Sequence, residues 1–259
     1  MELLGQAPGT LAALGLYGVR VSALILAAPL FGTASSFSGH RVGLIAVLSL
    51  ALYAASGAPL RSDGGPIGFA ALALRETLIG LSLAFVLQIV VMAVRVAGEM
   101  IGQEMAFNMS TMVDPTTGVN TPLITQIHES LFLIGLLAVD GHHVLLRALA
   151  DSFARAPVGT LGFDAGLVEG LQRLFGEMFA AGLTFAAPVL VLLFLVSLVI
   201  GLLARAVPQL NVLEVGFTMR IAAALVAMYA FAPLLAPAME RLYGAMALGL
   251  DGVLTAVEG

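Results

Sequence analysis

Residues 178–204 read MFAAGLTFAAPVLVLLFLVSLVIGLLA, a run of 27 residues without a charge. At about 1.5 Å of rise per residue, a helix of that length measures about 40 Å. The hydrocarbon core of a bilayer is about 30 Å thick. The segment is long enough to cross a membrane and too long to fit upright inside one. It predicts a helix that tilts, kinks at Pro188, or extends past the lipid into a protein assembly.

Other apolar runs lie on either side of it. Residues 10–31 form one, interrupted by Arg20, and residues 42–60 form a second, followed by the turn signal RSDGGPIG. Residues 77–94 are charge-free, with Arg75 and Glu76 just before them and Arg95 just after. Residues 122–139 and 221–239 complete the set. A spanning helix needs about 20 mostly apolar residues, so each run is a candidate. The expected fold is all-α, a polytopic membrane protein of helical hairpins.

Composition agrees. The chain has 259 residues, 60% of them hydrophobic and 10% charged, with a mean hydropathy of +1.04. A soluble domain carries about 25% charge, so this chain has too few charges to face water all round. It must bury itself in lipid, in other subunits, or in both. Net charge is −5 and every basic residue is Arg, which argues against nucleic-acid binding through a basic patch. With no cysteine, disulfides, thiolate catalysis and Cys-based metal sites are excluded. The N-terminus has no positive residue before Arg20, so a secretory signal is not expected. The arginines are scattered one or two per loop and set no clear orientation.

From about residue 170 the plan is a helical hairpin, with arms over about 170–206 and 212–248 and the break ARAVPQLNVLEVG between them. Residues 1–169 form a more complex helical part. The two parts show no internal repeat.

Catalytic signals are poor: neither HExxH, GxSxG, GxGxxG nor a P-loop sequence occurs. Of the four histidines, His142 and His143 are adjacent. Neighbours on a regular helix point about 100° apart and cannot face one ligand. The expected reading is therefore an interfacial turn in which Asp140 and Gly141 end the fourth helix, with no metal or catalytic role. Arg20 lies in mid-segment, where a charge is costly and faces protein. It either contacts another subunit or loop, or snorkels to an interface.

The most structured signal is GEMIGQEMAFNMSTMVDPTTGVNTPLITQ, residues 98–126. Gly98, Gly102 and Ala106 recur every four residues and form a smooth face for close helix packing. Ile101, Met105, Met109 and Met112 line another face, where methionine fills irregular gaps. Asp114–Pro115 interrupts the helix, Gly118 permits positive φ, and Thr121–Pro122 restarts a helix. Irregular backbone at membrane depth survives only when buried in protein or lining a cavity. The loop is thus channel-lining if it lies at that depth, and an exposed connection if it does not.

The stretch RETLIGLSLAFVLQIVVMAVRVAGEMIGQEMAFNMSTMVDPTTG, residues 75–118, resembles the FliR family of flagellar type III export-gate proteins. RVSALILAAPLFG and HRVGLIAVLSLAL near the N-terminus, DGHHVLLRALADSFARAPVG, and GLLARAVPQLNV followed by GF resemble the same family in the same order. Thr218 and Arg220 stand where the family more often has Pro and Lys, and Ser197 where a more polar residue is common.

The resemblance implies a non-enzymatic subunit without cofactor, in the bacterial inner membrane at the flagellar basal body. It implies a P-like N-terminal part and a Q-like C-terminal hairpin. One copy would assemble with several copies of the P and Q components around a passage for unfolded flagellar subunits. The B component would sit at the entrance, and the A component belongs to the same apparatus. It also implies that residues 107–122 plug the closed channel, with Met105, Phe107, Asn108, Met109, Met112, Asp114, Pro115, Gly118 and Pro122 as the plug and gate residues. Arg20, Arg205, Pro208, Gln209 and Asn211 are candidate contacts with neighbouring subunits. The alternatives are the injectisome T component and, in another class, a small-molecule transporter. GHH with the following SF and AP tilts towards the flagellar form. A transporter often carries related halves and several mid-membrane charges. A membrane-embedded hydrolase lacks a nucleophile–base pair.

Overall fold

A computed structural model describes residues 2–31, 38–56, 65–105, 123–160, 166–207, 209 and 212–258. Among the described residues seven α-helices follow in order: α1 (Glu2–Ala27), α2 (Ser38–Ser56), α3 (Gly65–Glu104), α4 (Leu123–Ala138), α5 (Gly141–Arg155), α6 (Gly166–Ala206) and α7 (Val212–Glu258). A 3-10 turn, Pro29–Phe31, follows α1. The described residues contain no strand. Among the described residues five helices are long and apolar enough to cross a membrane, or six if α4 and α5 together count as one broken span. The all-α polytopic expectation holds.

The helices outrun the apolar runs that announced them. α3 covers 40 residues where the sequence predicts 77–94, and α7 covers 47 where it predicts 221–239 or 212–248. The charges read as flanks of α3 lie inside it because each has a partner: Arg75 contacts Glu76 and Arg95 contacts Glu129. α6 covers 41 residues and continues through Pro188. α5 is an addition. The Asp140–Gly141 turn does end α4, but His142 and His143 sit in the first turn of a further helix.

The chain forms two compact units, each built from separate segments. The first comprises residues 1–89, 140–175 and 245–259. Buried within it are Leu16, Leu24 and Ile25 of α1, Ile79, Leu83 and Leu87 of α3, and Leu145 and Leu149 of α5. Tyr17 stacks on Phe153 at 4.2 Å between ring centroids. A Cβ on Gly80 would strike the Arg20 carbonyl and come within 2.8 Å of the Ala23 Cβ, so α1 and α3 touch backbone to backbone.

The second unit comprises residues 90–139 and 176–244. Ala97, Ile101, Met105, Ile124, Ala186, Val189, Leu193, Ala224 and Ala227 form its core. Within it α6 and α7 run antiparallel: Gly216 lies against Ile200 near one end, and Phe185 and Pro188 share a cavity wall with Met228 and Phe231 further along. Small residues again allow close approach, a Cβ on Gly182 falling 2.5 Å from the Ala93 carbonyl oxygen.

Candidate functional site

The two ends of the 106–122 segment are anchored in the second unit. α3 runs to Glu104, and the Met105 N–H donates to the Ile101 carbonyl at 3.0 Å. Met105 is fully buried, in one core with Ile101 before the segment and Ile124 after it. Gly98 accounts for that closeness. A Cβ there would sit 2.7 Å from the Thr125 Cα, so α3 and α4 touch where the segment leaves and returns. Gly102 is also buried. Arg95 clamps the same pair of helices, its Nη2 and Nε donating to the two Glu129 oxygens at 2.8 and 3.3 Å, the two-pronged geometry that suits guanidinium and carboxylate. Ala106, Phe107, Asn108, Met109, Met112, Asp114, Pro115, Gly118 and Pro122 lie outside the described residues.

Below these anchors a cavity of about 450 Å³ opens between α3, α4, α6 and α7, lined by Ile101, His128, Phe185, Pro188, Phe231 and Arg241 among others. The His128 Nδ1–H donates to the Ile124 carbonyl at 2.8 Å, which leaves Nε2 of a neutral ring as an acceptor. The ring meets Phe185 edge-on at 5.9 Å. Further along α7, the Tyr243 hydroxyl donates to the Phe132 carbonyl at 3.0 Å. Burial pushes its pKa up, so it stays a donor.

Arg20 does not snorkel: its side chain is wholly buried, and part of its contact is with the loop that follows α5. Its Nε donates to Glu76 Oε2 at 2.6 Å. Nη1 donates to the carbonyl and hydroxyl of Ser152 at 2.7 and 3.0 Å, and Nη2 to the Ala156 carbonyl at 2.8 Å. The guanidinium also lies 4.1 Å above the Phe153 ring. Arg75 adds a second guanidinium, 3.3 Å from Glu76 Oε1 and 3.4 Å from the Pro157 carbonyl. Two buried cations thus share one carboxylate. The carbonyls they also engage lie at and just past the C-terminus of α5, the negative end of a helix dipole worth about half a charge. Sequence reasoning missed Glu76 and Ser152 as its partners. Glu76 was visible, but as the flank of an apolar run.

Of the candidate contacts at the α6–α7 break, Arg205 and Gln209 are exposed, while Pro208 and Asn211 lie outside the described residues. The His pair departs most from expectation. The His142 and His143 ring centroids are 4.1 Å apart, and one donor atom from each of Asp140, His142 and His143 lies within 4.8 Å of the others.

The pattern of the family described as Bacterial export proteins, family 1, matches residues 11–246. The flagellar biosynthetic protein FliR of Escherichia coli (strain K12) is 34% identical over 229 residues, 87% of this chain and 86% of that protein. FliR of Bacillus subtilis (strain 168) is 34% identical over 209 residues, 79% of this chain and 80% of that protein. FliR of Pectobacterium carotovorum subsp. carotovorum is 32% identical over 240 residues, 92% of this chain and 90% of that protein. With a match that runs from α1 into α7, through both the anchored segment and the Arg20 network, this chain belongs to the FliR family of bacterial export proteins.

Proposed function

We propose that this chain is a non-catalytic subunit of the flagellar type III protein export gate in the bacterial inner membrane. One copy assembles with P and Q components around a passage for unfolded flagellar proteins, with the B component at its entrance and the A component in the same apparatus. Residues 1–169 act as the P-like part and residues 170–259 as the Q-like hairpin. Residues 107–122 plug the closed passage.

The observation that carries this reading is the mismatch between apolar length and bilayer thickness. α6 has 41 residues, about 60 Å along its axis, roughly twice the hydrocarbon core. Large apolar side chains stand exposed along nearly all of it, from Val168, Phe175 and Phe179 to Phe194, Leu202 and Leu203. Lipid covers only about half of such a face, so other protein must cover the rest. A flagellar export gate supplies that protein in the form of membrane partners, in keeping with the flagellar biosynthetic relatives.

Co-expression with P- and Q-type membrane proteins, extraction in mild detergent and native mass spectrometry test the proposal. The expected result is one stable mass containing this chain once and several copies of each partner. A monodisperse monomer that ignores both partners and binds a small solute overturns it.

A further inference from the structure

We propose that Asp140, His142 and His143 form a binding site for one divalent first-row transition cation, with Zn²⁺ as the reference ion. The export function proposed above does not draw on these groups. On a regular helix adjacent imidazoles diverge by about 100°, yet here the rings lie 4.1 Å apart with 36° between their planes. Asp140, whose φ of 57° places it in the left-handed region just before α5, adds a carboxylate to the pair. That turn brings Asp140 Oδ1 to 3.2 Å from His143 Nδ1. A donor atom of each of the three residues then lies within 4.8 Å of the others.

A second observation points the same way. The His142 Nδ1 is shielded from solvent and has no hydrogen-bond partner among the described residues. An unmatched buried ring nitrogen costs free energy that a ligand bond would recover.

The donor set selects the ion. Two imidazoles and one carboxylate suit Zn²⁺, Cu²⁺ or Ni²⁺, whereas Mg²⁺ and Ca²⁺ require oxygen ligands. Bonds of about 2.0–2.2 Å place tetrahedral ligand atoms about 3.4 Å apart. The three groups must therefore close by at most about 1.5 Å, within reach of side-chain rotation where Asp140 and His143 face solvent. The positive end of the α5 dipole opposes a cation with about half a charge, and the full negative charge of Asp140 outweighs it. Three protein ligands leave a fourth position for water or for a side chain of another subunit.

The test uses the full-length chain without a histidine tag, purified in detergent, stripped with chelator and titrated with Zn²⁺ against a chromophoric competitor. One Zn²⁺ per chain is expected. His142→Ala and His143→Ala should each weaken it by about tenfold or more, and Asp140→Asn should weaken it less, because the amide oxygen remains in place as a ligand and only the charge is lost. His40→Ala, on the exposed start of α2, should leave it unchanged. X-ray absorption at one equivalent of Zn²⁺ requires no variant and should show scattering from two imidazoles. Absence of stoichiometric uptake, a loss below about tenfold in the double variant H142A/H143A, or a zinc shell without imidazole each overturns the proposal.

Discussion

Arg20 shows that a buried charge is tolerated only with its partners in place. Its guanidinium donates to Glu76, Ser152 and Ala156 at once, so removing it would strand a buried carboxylate beside Arg75 alone. Breaking a buried ion pair from one side costs about 3–5 kcal/mol. Arg20→Met should lower unfolding stability in detergent by up to about that much, and the triple change Arg20→Met/Arg75→Met/Glu76→Gln, which removes all three buried charges, should recover a large part. Chemical denaturation of the three proteins checks both. Gly135 and Tyr243 form a second coupled pair, since a Cβ on Gly135 would strike the Tyr243 hydroxyl but clear the ring carbon beneath it at 3.5 Å. Gly135→Ala alone should destabilise. In a Tyr243→Phe background, which itself loses a hydrogen bond of about 1 kcal/mol, the same change should be close to neutral, a non-additivity that a double-mutant cycle measures. Neither pairing was legible beforehand. Arg20 stood out as a lone charge, but Glu76 lies 56 residues away, and only packing of α1 on α3 brings them together.

At the scale of elements, apolar runs located the spanning helices but not their ends. A charge ends an apolar run whether or not it ends a helix. When Arg75, Glu76 and Arg95 find partners inside the protein, the helix carries on through them. α5 escaped for the opposite reason. Its 15 residues alternate buried Leu145, Leu149 and Phe153 with exposed His143, Arg147 and Asp151, a two-sided helix too polar and too short to register as a span. The His pair escaped with it, because the divergence rule fixes where the Cα–Cβ bonds point and not how far the side-chain rotamers bring the two rings together. Of the small-residue face read from the sequence, Gly98 packs against Thr125, and Ala106 lies outside the described residues. Gly98→Ala should push α3 and α4 apart and cost about 1–3 kcal/mol. Gly15→Ala, in the exposed middle of α1 with nothing within 4 Å of the added carbon, should instead stabilise by up to about 1 kcal/mol. Thermal unfolding of the two variants side by side decides whether close helix contact, rather than glycine content, matters at these positions.

For the whole molecule, the proposed function imposes a physical requirement. A passage wide enough for an unfolded polypeptide also admits hydrated ions, so a membrane that holds a gradient needs matter in that passage when it is idle. Residues 107–122 suit that task in composition, being polar with Gly118, Pro115 and Pro122 to break regular structure. Their attachment points suit it too. Met105 and Ile124 are buried in one core, and α3 and α4 touch at Gly98 and Thr125. Deleting Asn108–Gly118 removes 11 residues and leaves 6 between Met105 and Leu123. Six extended residues span about 20 Å, ample for ends held against one another, so the deletion should leave both anchors and the assembly intact. Co-purified complexes carrying it should show the full native mass, while proteoliposomes containing them should leak ions that wild-type complexes retain. A shortened segment in an intact complex that still seals would show that the barrier lies in other residues.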